Sequence, residues 1–294
     1  MPFGSRTARL LLRTRGVGHD LRWLSRRAID PRWYPQGIDV GDWHGRRTIA
    51  VTWFRKDASG EQHEASRITM IDVRRGTSVD LALAVAADDG GPMPARIHAG
   101  GLAWMGDRLL VAATDGGLWE YDLGTVQTLR GADARRVTGS TRRARGALAE
   151  TLVRVRRHDV PLRCSFVGRA HPHDPASPRI LVGEYRREDD GRLGWNDVPD
   201  GDAPWGPWAS TTPGIPRMQG VVERDGELWV SQSRGMRPGS LWRGTRDGMA
   251  RTRQALPVGC EDLAIDERTR TLWTVAEHPW RRRVHGLPLP PPAQ

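Results

Sequence analysis

MQGVVERDGELWVSQ, residues 218–232, decides how the rest of the chain is read. Val221 and Val222 form a short β-prone run, Asp225-Gly226 a tight turn, and Leu228 to Ser231 a second run, which together read as a β-hairpin. GGLAWMGDRLLVAAT, residues 100–114, superimposes on it without a gap: Gly101 on Gly220, Leu102 on Val221, Leu109 on Leu228 and Val111 on Val230. Self-similarity of this kind marks a repeat architecture.

Working outward, a first repeat takes residues 36–40, 48–54, 68–73 and 78–86, four short strands between Gly-, Asp- and charge-rich loops. The second adds residues 117–123 to the 100–114 unit. An Arg-rich insertion over residues 131–157 follows, where Leu148, Leu152 and Val155 recur at helical spacing and predict a short surface helix. The third repeat takes residues 165–170, 179–185 and 192–198, the fourth residues 218–232 and 240–244, and the fifth residues 261–278 and 283–287. Inner strands start near Gly37, Gly101, Ser165, Gly220 and Asp262, at intervals of roughly 42 to 64 residues, the scale of one propeller blade.

The chain therefore reads as all-β, a five-bladed β-propeller with six blades as the alternative. One domain spans residues 21–287, between a basic leader (1–20) and a Pro-rich tail (288–294). Trp53, Trp119, Trp195, Trp229, Trp242 and Trp273 fill the wedges between sheets. The last repeat shows three strands, and LRWLSRRAI (residues 21–29) supplies the fourth, so that the N-terminal strand closes the last blade.

A chain of 294 residues can bury a sizeable core. Its net charge of +10 and pI near 10.9 invite an anionic partner. Lys56, however, is the only lysine among 45 basic residues, and an Arg, Ala, Gly and Asp bias of this kind reflects GC-rich coding as much as phosphate binding. Nucleic acid is disfavoured as a partner. No apolar run approaches the roughly 20 residues that cross a bilayer, so no membrane association is expected. Leu10 to Leu12 is shorter than a signal h-region of about 7 to 15 residues. The chain as written reads as cytoplasmic, and as secreted if its N-terminus is incomplete. Cys164 and Cys260 read as buried thiols, with a single bridge as the alternative if the protein is exported. A monomer without cofactor or metal is expected, with a small molecule, glycan or peptide as partner.

No nucleophile elbow, P-loop, dinucleotide fingerprint or H-E-x-x-H motif occurs. The chemistry is positional instead. Gln36, His98, Gln219 and Glu261 with Asp262 stand at inner-strand entrances, while Glu184, Gln232 and Glu277 with His278 end the neighbouring strands. Such a ring either binds a polar ligand in the channel or acts as acid and base, with Glu184, Glu261 or Glu277 as general base near His98. The same residues alternatively satisfy crowded backbone groups at the axis. Trp205, Trp208 and Trp280 lie beside Pro or Gly rather than in a strand pattern and are candidates for ligand stacking. His-x-His at 171–173 sits in a Pro-rich loop without a third ligand close by, so no metal site is assigned.

YPQGI (34–38), HAGGLAW (98–104), VGEY (182–185), MQGVV (218–222), EDLA (261–264) and AEHPWRRRVHGL (276–287) together resemble uncharacterised five-bladed propeller proteins of actinobacteria, which often carry a secretion leader. That resemblance spans about residues 34–287 and implies the fold. More distantly, QG followed by strand, Asp-Gly and strand is similar to the five-bladed glutaminyl cyclases of plants and bacteria. Their Asn-Glu-Leu-Glu type segment has no counterpart, since Asn196 is the only asparagine. The same shortage sets the chain apart from calcium-dependent lactonase propellers, so no catalytic residue carries over. Two functions remain open: a β-propeller ligand-binding protein with a polar central channel, or a propeller enzyme of cyclotransferase, lyase or hydrolase type.

Overall fold

The computed structural model describes residues 9–16, 18–23, 28–88, 90–139, 146–171, 174, 176–201 and 203–289. Residues 1–8 and 17 of the 1–20 leader and residues 290–294 of the 288–294 tail lie outside the described residues, as do residues 24–27 of the expected strand at 21–29.

The architecture is nearly all β. Strands β1 (Arg9–Gly16) and β2 (Gly18–Trp23) form a hairpin. Strands β3 (Trp33–Trp43), β4 (Arg46–Lys56), β5 (His63–Asp72) and β6 (Thr77–Ala86) then make an antiparallel meander, extended by the short β7 (Pro92–Pro94). Strands β8 (Leu102–Met105), β9 (Arg108–Ala112) and β10 (Leu118–Asp122) begin a second. The chain leaves this sheet through β11 (Gln127–Arg130), α1 (Gly131–Thr138) and β12 (Leu148–Val153), and returns as β13 (Arg156–His158) to pair with β10. Further meanders are β14 (Phe166–His171), β15 (Arg179–Gly183), β16 (Leu193–Asp197) and β17 (Ala209–Thr211), and β18 (Met218–Arg224), β19 (Glu227–Arg234), β20 (Arg237–Thr245) and β21 (Gly248–Val258). Finally β22 (Cys260–Asp266), β23 (Thr271–Ala276) and β24 (Arg283–Pro288) pair in order, and β24 pairs with β2.

Two differences from the sequence reading have physical causes. Residues 148–155 are not helical: the helix lies earlier, at α1, and β12 runs parallel to β6, pairing Glu150 to Val153 with Leu81 to Ala84. The open edge of β6 offers a full ladder of backbone partners, and Thr151 and Leu152 are buried against it. This tertiary partner outweighs the helical spacing. Strand β21 carries no apolar alternation, and only two of its eleven residues are buried. An outer strand with one face in water reads as a loop.

Apolar side chains fill the spaces between consecutive meanders. One cluster joins Ile68, Met70 and Leu81 to Leu102, Leu109 and Val111, and another joins Leu110 and Ala112 to Val167, Ile180 and Val182. Phe166 and Leu181 meet Val221 and Val230, and Val222 with Trp229 meets Leu263, Ile265 and Leu272. Leu21, Trp23, Trp273, Val275 and Val284 pack on Ile38, Val40, Ile49, Val51 and Trp53. Arginines cap several tryptophans at these seams: Arg67 lies 4.8 Å from the Trp53 ring centre, Arg154 4.3 Å from Trp119, Arg246 4.4 Å from Trp195 and Arg243 4.7 Å from Trp229.

The first strands of the meanders approach backbone to backbone, which glycine permits. A Cβ on Gly37 would lie 2.6 Å from the carbonyl carbon of Gly101, one on Gly101 2.2 Å from Val167 N, one on Gly168 1.8 Å from Val221 O and one on Gly220 2.5 Å from Asp262 Cα. Two buried carboxylates staple these strands. Asp262 accepts from Ile38 N at 3.1 Å and Leu102 N at 3.2 Å. Asp39 accepts from Trp104 N at 2.7 Å and from the Arg169 guanidinium at 2.6 and 2.8 Å.

Candidate functional site

Antiparallel ladders place alternate side chains on alternate faces, and a β-bulge breaks that rule by adding a residue to one strand. The register shifts between Pro35 and Ile38 in β3, between Met218 and Gly220 in β18, and between Cys260 and Leu263 in β22. The residues inside these three irregularities include Gln36, Gln219 and Glu261, and all three line one open cavity of about 710 Å³. That volume suits a small organic ligand.

Glu277, one residue beyond β23, lines the same cavity. Gln36 donates to Glu277 Oε2 at 3.0 Å, and Gln219 to Glu261 Oε1 at 3.3 Å. Burial raises Glu261 well above the ordinary carboxyl range, reinforced by the Glu277 and Asp262 charges and by a side-chain hydrogen bond with Glu277. Burial also raises Glu277, against the pull of His278, Gln36, Arg282 and Lys56. Each carboxyl disfavours the other's ionisation, and burial opposes the charge of both.

His98 lines the same cavity. Its ring lies 4.5 Å from Phe54 and 5.4 Å from His63, and Phe54 stacks on Tyr34 at 5.3 Å. Burial first, then the charges of His63, Arg163 and Lys56, push the His98 imidazole down to about 4, so it is neutral at pH 7. Its Nδ1 is buried without a hydrogen-bond partner among the described residues, as is Thr114 Oγ1. Thr114 adopts φ of 52°, which crowds a β-branched side chain. Strain of this sort gathers at working sites.

The remaining sequence candidates lie elsewhere. Glu184 does not line the cavity: burial would raise it, yet Arg192 and the backbone N–H groups of Arg163 and Arg192 outweigh that and lower it. Its carboxylate meets Arg192 at 3.0 and 3.1 Å and anchors Arg163 N at 3.1 Å, and Arg163 in turn lines the cavity. Gln232 is spent on Trp242 Nε1 and Pro216 O, both at 3.0 Å. Trp205 and Trp208 stack on each other at 5.3 Å, and Trp205 meets the His158 ring edge-on at 5.4 Å, over an apolar cluster away from the cavity. Trp280 is 76% exposed in the β23–β24 connection. His171 ends β14 and lines a second cavity of about 440 Å³ with Arg169, Trp104 and Glu267, at the other end of the same strands; His173 lies outside the described residues. Among the described residues no group of three His, Cys, Asp or Glu is placed to hold a metal ion.

Tyr34, Phe54, Lys56, His63, Arg96, Thr114 and Tyr185 line the cavity without having been singled out by the sequence. Lys56 carried a signal as the sole lysine, and Tyr34 and Tyr185 stood within the YPQGI and VGEY motifs.

No protein-family model matches the chain, and neither does any curated protein. Solved structures do. A GH43_1 enzyme from Xanthomonas citri is 10% identical, with 89% of this chain and 88% of that chain covered at a TM-score of 0.50. The glutaminyl cyclase of Myxococcus xanthus is 12% identical over 95% of this chain and 96% of that one, at a TM-score of 0.49. A gluconolactonase from Xanthomonas campestris is 15% identical over 98% and 87%, at 0.43. The likeness is one of fold, and it supports the β-propeller architecture.

Proposed function

We propose that the chain is a five-bladed propeller, closed by its N-terminal strand, that binds a small polar molecule at the Glu261–Glu277 cavity and acts on it by acid–base chemistry. The blade count is supported by the succession of meanders and by the seam clusters between consecutive sheets. Pairing of β2 with β24, together with the packing of Leu21 and Trp23 on Trp53, supports the closure.

One observation carries the catalytic reading: two carboxyls in hydrogen-bond contact face an open cavity. A pair sharing one proton has a base and an acid side by side. The ionised member takes a proton from an attacking water or substrate hydroxyl, and the protonated member gives one to the carbonyl oxygen under attack. The carbon–heteroatom bond then breaks as the proton passes to the leaving group. Hydrolysis or internal transfer at an ester, lactone or amide fits this geometry.

The test is Glu277→Gln and Glu261→Gln, assayed against a panel of esters, lactones and amides from pH 5 to 9. Each variant should stay folded and lose turnover by about 100-fold or more. Glu261→Gln should also match or exceed the parent in stability at pH 8, since a carboxyl with a raised folded pKa stabilises below the ordinary carboxyl range and loses that contribution as pH rises. Ligand binding without turnover in the unsubstituted protein would make it a binding module. Unaltered turnover in both variants would remove the pair from the mechanism.

A further inference from the structure

Lys56 is the only lysine in a chain whose other basic residues are all arginine, and it lines the cavity. The two cations are not equivalent: an ammonium is a compact point charge, whereas a guanidinium is a wide planar fork. Lys56 ends β4 at an irregularity in which the partner strand β5 carries the extra residue, Arg55 pairing with Ala65 and Lys56 with His63. Its backbone N–H is held by Arg32 O at 2.9 Å, and its ammonium stands 5.4 Å from the centre of the Tyr34 ring, on the aromatic wall of Tyr34, Phe54, His63 and His98.

The cavity carries charges of both signs on different elements. Its cations come from β4 and the connections before β8 and β14, namely Lys56, Arg96 and Arg163, and its carboxyl pair comes from β22 and the end of β23. Its two other acids are exposed. Asp115 is engaged by Arg163 at 3.1 Å, and Glu61 is exposed in the β4–β5 connection. Arg96 and Arg163 are exposed as well, whereas Lys56 is half-buried and is the deeper cation.

We infer that this cavity takes a small carboxylate with an aromatic or apolar stem and a carbonyl group, its carboxylate held by Lys56 while the carbonyl reaches the Glu261–Glu277 pair. The inference rests on the reading of that pair as the working groups. N-acetylphenylalanine is a suitable probe, because it carries carboxylate, ring and amide carbonyl in one molecule. Its C-terminal amide is the uncharged control.

Affinity is measured by calorimetry for both probes with the parent, Lys56→Met, Lys56→Gln, and Glu277→Gln. The acid should bind the parent about tenfold more tightly than the amide, an advantage that shrinks as salt is raised from 50 to 500 mM. Both Lys56 variants should abolish the advantage while leaving amide binding within about twofold. Equal affinities for acid and amide, or an acid preference that survives both Lys56 substitutions, would overturn the inference. If the amide binds equally well and Glu277→Gln weakens it, the carboxyl-pair reading stands and the carboxylate specificity fails. If neither probe binds, the carboxylate assignment is rejected, and the ester and lactone panel decides the fate of the pair separately.

Discussion

Single residues at this site are tuned by what surrounds them rather than by their own chemistry. His98 is neutral because burial and neighbouring cations oppose its charge, and Glu261 is raised well above the ordinary carboxyl range because burial and Glu277 oppose its ionisation. The two shifts act in opposite directions on stability. The unfolded chain protonates His98 near 6.5 and the folded one only near about 4, so folding loses stability as pH falls through that window. His98→Gln should therefore flatten the fall in stability between pH 6.5 and 4 by up to about 3 kcal/mol, read from urea unfolding at each pH. An unchanged slope would mean that the imidazole titrates normally. Gln36 and Gln219 matter at the same scale, because each amide donates to one member of the carboxyl pair and fixes its orientation. Glu184 shows the converse: with the same side chain as Glu261, it meets Arg192 and remains an anchor for the backbone of Arg163.

Among the elements, the first strands carry the most exacting constraint. Gly101 and Gly168 sit where a side chain would enter the backbone of the neighbouring sheet, at 2.2 and 1.8 Å. Gly168→Ala should cost at least the roughly 1–3 kcal/mol of an overpacked core, and more if the strands must part. Gly248 in β21 is the control, since a Cβ there meets nothing within 4 Å. Gly248→Ala should be neutral or stabilising by about 0.4–1 kcal/mol. Similar losses in the two variants would show that strand propensity, not close approach, governs these positions. The glycines were visible in the repeat, as Gly101 on Gly220, but their reason was not. A repeat reveals which positions correspond; the neighbour that forbids a Cβ belongs to the next sheet. The same holds for β12, whose helical spacing yields to the open edge of β6.

For the whole molecule, the proposed closure depends on one short segment. Leu21 and Trp23 are 1% and 2% exposed and pack with Trp53 and Trp273, joining the last sheet to the first. Burying two such side chains contributes about 3–6 kcal/mol. Deleting residues 1–23 should then lower Tm by roughly 10 °C and leave the free edge of β24 prone to association, measured by calorimetry and light scattering. A truncated chain with unchanged Tm would refute the closure. The strong positive charge also resolves at this scale into many local uses. Arginines stack on tryptophans at the sheet seams and pair with acids, as Arg169 does with Asp39 and Arg47 with Asp266.

The sequence alone determined the repeating unit, the apolar alternation of the inner strands and which polar residues stand at the strand entrances. Those properties are local, set by period-two patterning and turn chemistry. Tertiary structure decided which entrances share a cavity. Gln36, Gln219, Glu261 and Glu277 converge because bulges and loop ends turn them inward, whereas Glu184 and Gln232, equally placed along the chain, find nearer partners in Arg192 and Trp242. The raised ionisation range of Glu261 and Glu277 and the neutrality of His98 arise from burial and from charges distant in sequence, which no reading of spacing contains.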